Sequence, residues 1–204
     1  MLKAYRLPKA KQRGRLSSDG SPVAGEREIT ADSFYCATGS GSRRRTQSNV
    51  FGEAIHYSKV WIHHGSYLPF GLQNKDTAMT PNGELYFRTW YTNDFSVADY
   101  PLRHLFIHEM SHVWQRERGM NVIARGLMSF AVSYRYSLDG RPLRRYPMEQ
   151  QAQIIADNFT LQTQGYNIWH RLWGSKYPTI TLDGDTTESV IREQYKIALR
   201  GFPW

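Results

Sequence analysis

Residues 102–119 read LRHLFIHEMSHVWQRERG, and they decide the fold. Inside them, His108-Glu109-Met110-Ser111-His112 places two histidines four residues apart. On an α-helix that spacing puts both rings on one face, one turn from each other. Two imidazole nitrogens so placed can bind one zinc ion (Zn2+) at roughly 2.0–2.1 Å each. Glu109 sits beside the first histidine, angled toward the open side of such a metal, where a carboxylate can take a proton from water. The flanks predict a helix. Pro101 suits a first turn, where its missing N–H costs nothing. Leu102, Leu105, Phe106, Met110, Val113 and Trp114 supply apolar faces, and Gly119 follows Arg116 and Arg118 as a stop. The longer H-E-x-x-H-x-x-G-x-x-H pattern is not met, because Gln115 stands at the glycine and Arg118 at the third histidine. A third metal ligand has to come from elsewhere.

Outward from the motif, residues 54–64 (AIHYSKVWIHH) alternate around Val60, Trp61 and Ile62 and predict a strand. His63 and His64 would point to opposite faces of it, which fits packing or surface roles better than one shared ion. Residues 77–91 (TAMTPNGELYFRTWY) predict a hairpin, with Pro81-Asn82-Gly83 turning the chain between 78–80 and the β-rich run 84–91. In H-E-x-x-H zinc peptidases a strand beside the cleft binds the substrate backbone by strand addition, and this hairpin is the candidate. Residues 122–138 fit a short helix followed by a strand, and Asp139-Gly140 before Arg141-Pro142 is a turn. Pro147 then opens a helix over 148–164 closed by Gly165. A last helix runs from a cap at Asp185 or Thr186 to Arg200, with Val190, Ile191, Tyr195 and Leu199 inward and Gly201 behind. Two residues compete as third ligand. His170 lies in the Trp-rich stretch 169–173, with no helical support in the pattern. Glu149 lies 37 residues beyond His112, in the first turn of a helix whose Ala152, Gln153 and Ala156 face lets another helix come close, and it is preferred. As an ordinary residue it would be a first-turn acid favouring the helix dipole. Asp157, two turns on, is a candidate to orient a ligating histidine. Tyr134, Arg135 and Tyr136 are candidate donors to an oxyanion, with core packing the plainer role for the aromatics. The fold class is α+β: a mainly helical, zincin-like domain with a small antiparallel sheet or hairpin beside the motif helix.

Composition sets the bounds. A chain of 204 residues, 40% hydrophobic and 14% aromatic, can bury a sizeable core in one domain. No apolar run approaches the ~20 residues of a membrane helix. The N-terminus is charged without an apolar core, so no Sec signal is visible and export would use a signal-peptide-independent route. A single cysteine, Cys36, excludes an internal disulfide and a cysteine-built zinc site. The net charge of +8 is mostly local: residues 1–15 carry six basic groups and no acid, and subtracting those six leaves +2 for the rest. With SSDGSP at 17–22 and TGSGSRRR at 38–45, residues 1–49 read as a basic, Ser/Gly-rich arm or linker, with a short strand or helix at 33–37, and residues 50–204 as the zinc metallopeptidase domain. That distribution disfavours a nucleic-acid partner. The alternative to an enzyme is a non-enzymatic binding module whose basic arm engages nucleic acid or an anionic surface.

Four blocks together carry a resemblance: Phe51-Gly52-Glu53-Ala54-Ile55, Ala78-Met79-Thr80-Pro81-Asn82-Gly83, the FIHEMSHVWQ run at 106–115, and Glu149-Gln150-Gln151-Ala152. Over about residues 50–165 the chain resembles the zinc metallopeptidase toxin domain at the C-terminus of some type VI secretion spike (VgrG) proteins, with similar domains in Rhs-associated proteins. The resemblance implies His108, His112 and Glu149 as zinc ligands and Glu109 as catalytic base. It also implies an antibacterial effector, exported by the secretion machinery, that cleaves a peptide, a protein or a peptidoglycan peptide in the target cell's periplasm. A cognate immunity protein would neutralise it. Residues 1–50 do not look like a spike domain.

Overall fold

A computed structural model describes residues 29–30, 50–122 and 133–203. Two long helices organise them. The first, α1 (Tyr100–Glu117), starts where the Asp99 side chain accepts a hydrogen bond from the Leu102 N–H at 3.1 Å, with Pro101 in the first turn. It ends before Gly119, whose φ of +77° an L side chain rarely adopts. Every residue from His104 to Gln115 is buried. A helix buried all round lies inside a domain, so its polar residues need partners within the protein. The second, α2 (Met148–Gln164), has the predicted bounds and is also buried over most of its length. The contacts Gln115–Met148, His108–Glu149 and His104–Asp157 run in opposite order along the two helices, so α1 and α2 pack antiparallel.

Gly165, at φ +83°, breaks the chain between α2 and a third helix, α3 (Tyr166–Trp173). The Trp-rich stretch is therefore helical after all. Trp169 is fully buried, and Tyr166, Leu172 and Trp173 are partly buried against the core, which is an amphipathic helical face. The last helix, α4 (Glu188–Ala198), begins after Thr187, whose N–H is held by the Asp185 carboxylate at 2.8 Å. It buries Ile191, Tyr195 and Ala198, while Val190 and Leu199 stay half-buried. No helix among the described residues is long and apolar enough to cross a membrane.

The sheet differs from the expectation. It has the order β1 (Ile29–Thr30), β2 (Trp61–His64), β3 (Leu85–Phe87). The β1–β2 pair is antiparallel, but β2 and β3 run parallel, Ile62 opposite Leu85, so the sheet is mixed. The strand predicted over 54–64 shrinks to its last four residues, because 52–54 and 57–59 form 3-10 turns, the second closed by the Val60 N–H on the Tyr57 carbonyl at 3.1 Å. The hairpin exists at one pair only: Met79 and Tyr86 exchange both backbone hydrogen bonds, at 3.2 and 2.9 Å. Beyond Phe87 the chain turns away, with the Tyr91 N–H on the Arg88 carbonyl, while the Arg88 guanidinium donates to the Gly71 and Gln73 carbonyls. The architecture is α+β and mainly helical. The elements predicted over 33–37 and 122–138 fall wholly or largely on residues outside those described; Tyr136 forms one parallel bridge with Leu182.

Candidate metal centre

His108 and His112 come from the middle of α1, and Glu149 from the first turn of α2. The Nε2 atoms of both histidines lie 3.3 Å from Glu149 Oε2, and the three ligand atoms are all within 4.8 Å of one another. All three residues are buried, at 3, 6 and 6% exposure. His112 Nδ1 lies 2.8 Å from Gln115 Oε1, an acceptor, so Nδ1 carries a proton, and it is Nε2, facing Glu149, that is left with the lone pair when the ring is neutral. Gln115 in turn donates to the Met148 carbonyl at 2.8 Å, tying α1 to the residue before Glu149. Burial pushes the His112 imidazole pKa down, but the Glu149 charge and hydrogen bond reverse this and raise it to about 9. Burial likewise opposes ionisation of Glu149, yet His112 and His108 hold its carboxyl below the usual range. The Glu149 carboxylate is thus held between two imidazoles, a donor set that could hold a metal ion.

Glu109 is buried beside the three, and its Oε2 accepts a hydrogen bond from Thr80 Oγ1 at 2.7 Å. The Tyr134 ring lies 5.7 Å from that of His108, centre to centre. Burial, then the charges of Glu149 and Glu109, push the Tyr134 phenol well up, so it keeps its proton. The other two candidate oxyanion donors are engaged elsewhere. Arg135 pairs with Asp183 at the surface, and the Tyr136 hydroxyl donates to Asp157 at 2.6 Å.

No family model matches the sequence. Over 119 residues, 54% of this chain, the sequence is 40% identical to the type VI secretion system spike protein VgrG2b of Pseudomonas aeruginosa, of which it spans 12%. The solved effector domain of that VgrG2b aligns over 81% of this chain and 89% of its own length, at TM-score 0.54 and 30% identity. The chain belongs to the VgrG-associated effector domains of type VI secretion.

Within this effector domain, several sequence-level assignments change. Asp157 does not reach a ligating histidine. Its Oδ1 lies 2.6 Å from His104 Nε2, one turn before His108, and also accepts from Gln153 at 2.7 Å. Burial lowers the His104 pKa, so the neutral ring donates to the carboxylate. Tyr136, with its hydroxyl hydrogen bonded to Asp157, accepts from Tyr195 at 2.6 Å. Asp157 therefore ties α1, α2 and, through Tyr136, α4 together one helical turn from His108. His170 is exposed on α3. His63 stacks on Tyr86 and meets Glu84 at 2.9 Å, and His64 stacks on Tyr91, so neither belongs to the trio. Sequence reasoning missed the roles of Gln115, His104 and Thr80. A signal existed for His104: with His108 and His112 it completes a row of three histidines at four-residue spacing.

Proposed function

We propose that this effector domain is a zinc-dependent metallopeptidase that hydrolyses peptide bonds in the envelope of a target bacterium. The observation that supports this best is the convergence of His108, His112 and Glu149 within 4.8 Å, with Glu109 next in sequence to the first of them. Two histidines and a glutamate are a donor set of catalytic rather than structural zinc, since three protein ligands leave a coordination position for water or substrate. His112 fits the role because Gln115 already fixes its tautomer with Nε2 toward Glu149. When bound, zinc would supply the Lewis acidity that acidifies water and polarises a scissile carbonyl.

The chain's own residues then do the proton work. Water attacks the carbonyl carbon, and its proton passes to the Glu109 carboxylate. Glu109 returns that proton to the amide nitrogen as the C–N bond breaks. Tyr134, protonated and with its ring beside His108, is the candidate donor to the charge developing on the carbonyl oxygen. The 78–80 segment, paired with Tyr86, is the edge along which an extended substrate would lie. In this reading the fold is zincin-like, residues 50–204 are the catalytic body, and residues 1–49 are a basic arm that lends β1 to its sheet. Export follows the type VI machinery without a signal peptide, the substrate is a periplasmic protein or a peptidoglycan stem peptide, and a cognate immunity protein blocks the site.

Expression in a bacterial host, with and without an envelope-targeting signal, tests both activity and place. Wild type should kill only when exported, and Glu109→Ala should be harmless while still binding zinc. Equal killing from the cytoplasm refutes the location, and an active Glu109→Ala refutes the mechanism.

A further inference from the structure

The sequence stretch Ala78-Met79-Thr80-Pro81-Asn82-Gly83 does more than turn the chain. It lies against α1 at two points. At one end, Thr80 Oγ1 donates to Glu109 Oε2 at 2.7 Å, with both side chains 5% exposed. At the other, Gly83 lies against the Arg116 side chain: a Cβ there would stand 2.7 Å from its Nη1 and 3.1 Å from its Cδ, and the glycine φ is +89°. The segment therefore meets α1 at Glu109 through a hydroxyl and at the Arg116 side chain through a glycine.

Glu109 needs this. Its carboxylate is buried at the helix face, and its rotamer decides whether a free oxygen points to the reacting water or away. Thr is suited to the task, since β-branching restricts χ1 and aims the hydroxyl. Met79, the preceding residue, is locked to Tyr86 by two backbone hydrogen bonds, and Pro81, the following one, fixes its own φ. The donor is thus held from both sides of the chain.

Building on the peptidase reading, we propose that Thr80 is the positioning residue for Glu109. Its hydroxyl holds Oε2 so that Oε1 faces the attacking water and, later, the leaving amine. Because Thr80 belongs to the segment proposed to receive substrate, the same anchor sets the base at a fixed distance from the scissile bond.

The test uses zinc-loaded wild type, Thr80→Val, Thr80→Ala, Thr80→Ser and Glu109→Gln, assayed on a fluorescence-quenched peptide library. Each protein is also labelled with 13C at the glutamate side-chain carboxyl, and the Glu109 signal is assigned by its loss in Glu109→Gln. Val and Ala should lower kcat roughly 10- to 100-fold with KM within about twofold, the scale of a misplaced catalytic group. Ser should restore kcat to within about threefold. The Glu109 carbon signal should move in Val and Ala and stay in Ser. Retained kcat in Val and Ala, a Ser variant as slow as Val, or an unmoved carbon signal each overturns the proposal. Wild type no faster than Glu109→Gln would instead overturn the peptidase reading, with the carbon signal still reporting the Thr80 contact.

Discussion

Replacing Asp157 by asparagine removes one charge from the centre of the helical layer and changes little else in shape. The carboxylate takes four donors: His104 Nε2 at 2.6 Å and Gln153 Nε2 at 2.7 Å on one oxygen, the Tyr136 hydroxyl at 2.6 Å and the Thr181 N–H at 3.4 Å on the other. An asparagine amide must turn its NH2 toward one of these pairs. The cheaper choice faces Tyr136, whose hydroxyl can then accept and donate onward to Tyr195. Even so, the bonds from His104 and Gln153 lose their charge assistance, about 1 kcal/mol each, and the Thr181 N–H loses its acceptor here, about 1 kcal/mol more. The expected cost is about 3 kcal/mol. For a chain of this size that lowers the melting temperature by about 6–12 °C in a calorimetric scan. Zinc affinity, read by competition with a fluorescent chelator, should stay within about threefold, because Asp157 bonds to His104 and not to a ligand. A melting shift under ~2 °C refutes the clamp. A tenfold loss of zinc affinity in a protein of unchanged stability would show that Asp157 serves the metal after all.

Gln115→Leu should weaken zinc binding about 10- to 100-fold, since His112 would lose the acceptor that fixes its tautomer; an unchanged affinity in the same competition assay would remove Gln115 from the site. Stability of the metal-stripped chain should peak near pH ~6.5. His112, raised to about 9 by Glu149, stabilises fully below its unfolded value of ~6.5 and loses that contribution as pH climbs toward 9. His104 has a lowered pKa, so the unfolded chain gains protons that the fold refuses as pH drops below ~6.5, and stability falls there too. Urea midpoints rising steadily from pH 5 to 9 would contradict the His112 assignment, and midpoints highest at pH 5 would contradict the His104 one. Gly165→Ala, at φ +83° and ψ 167°, should cost about 2 kcal/mol in the same urea assay, and a loss under ~0.5 kcal/mol would mean the α2–α3 joint relaxes freely.

The two main helices were legible because their signals are local. Asp99, Pro101 and Gly119 punctuate α1, and Pro147 and Gly165 punctuate α2, within a few residues of the apolar pattern they bound. Glu149 could be preferred as third ligand because a small-residue helix face is also written locally. What Asp157 touches was not legible, since it depends on the two helices running antiparallel: eight residues forward along α2 from Glu149 goes one turn back along α1, from His108 to His104. The sheet failed for a similar reason. Parallel pairing of β2 with β3 joins residues more than 20 apart, and the hairpin is cut short by Arg88 reaching back to loop carbonyls that no local pattern marks. Thr80 stood in a quoted block without a role, because its partner is 29 residues away on another element.

On the proposed function, α1 and α2 jointly hold one zinc ion through His108, His112 and Glu149. Metal analysis of purified wild type and Glu149→Ala by inductively coupled plasma mass spectrometry tests it most directly. The account predicts about one zinc per chain in wild type and little in Glu149→Ala after the same dialysis. Zinc retained in full by Glu149→Ala, or absent from wild type supplied with zinc, would contradict it.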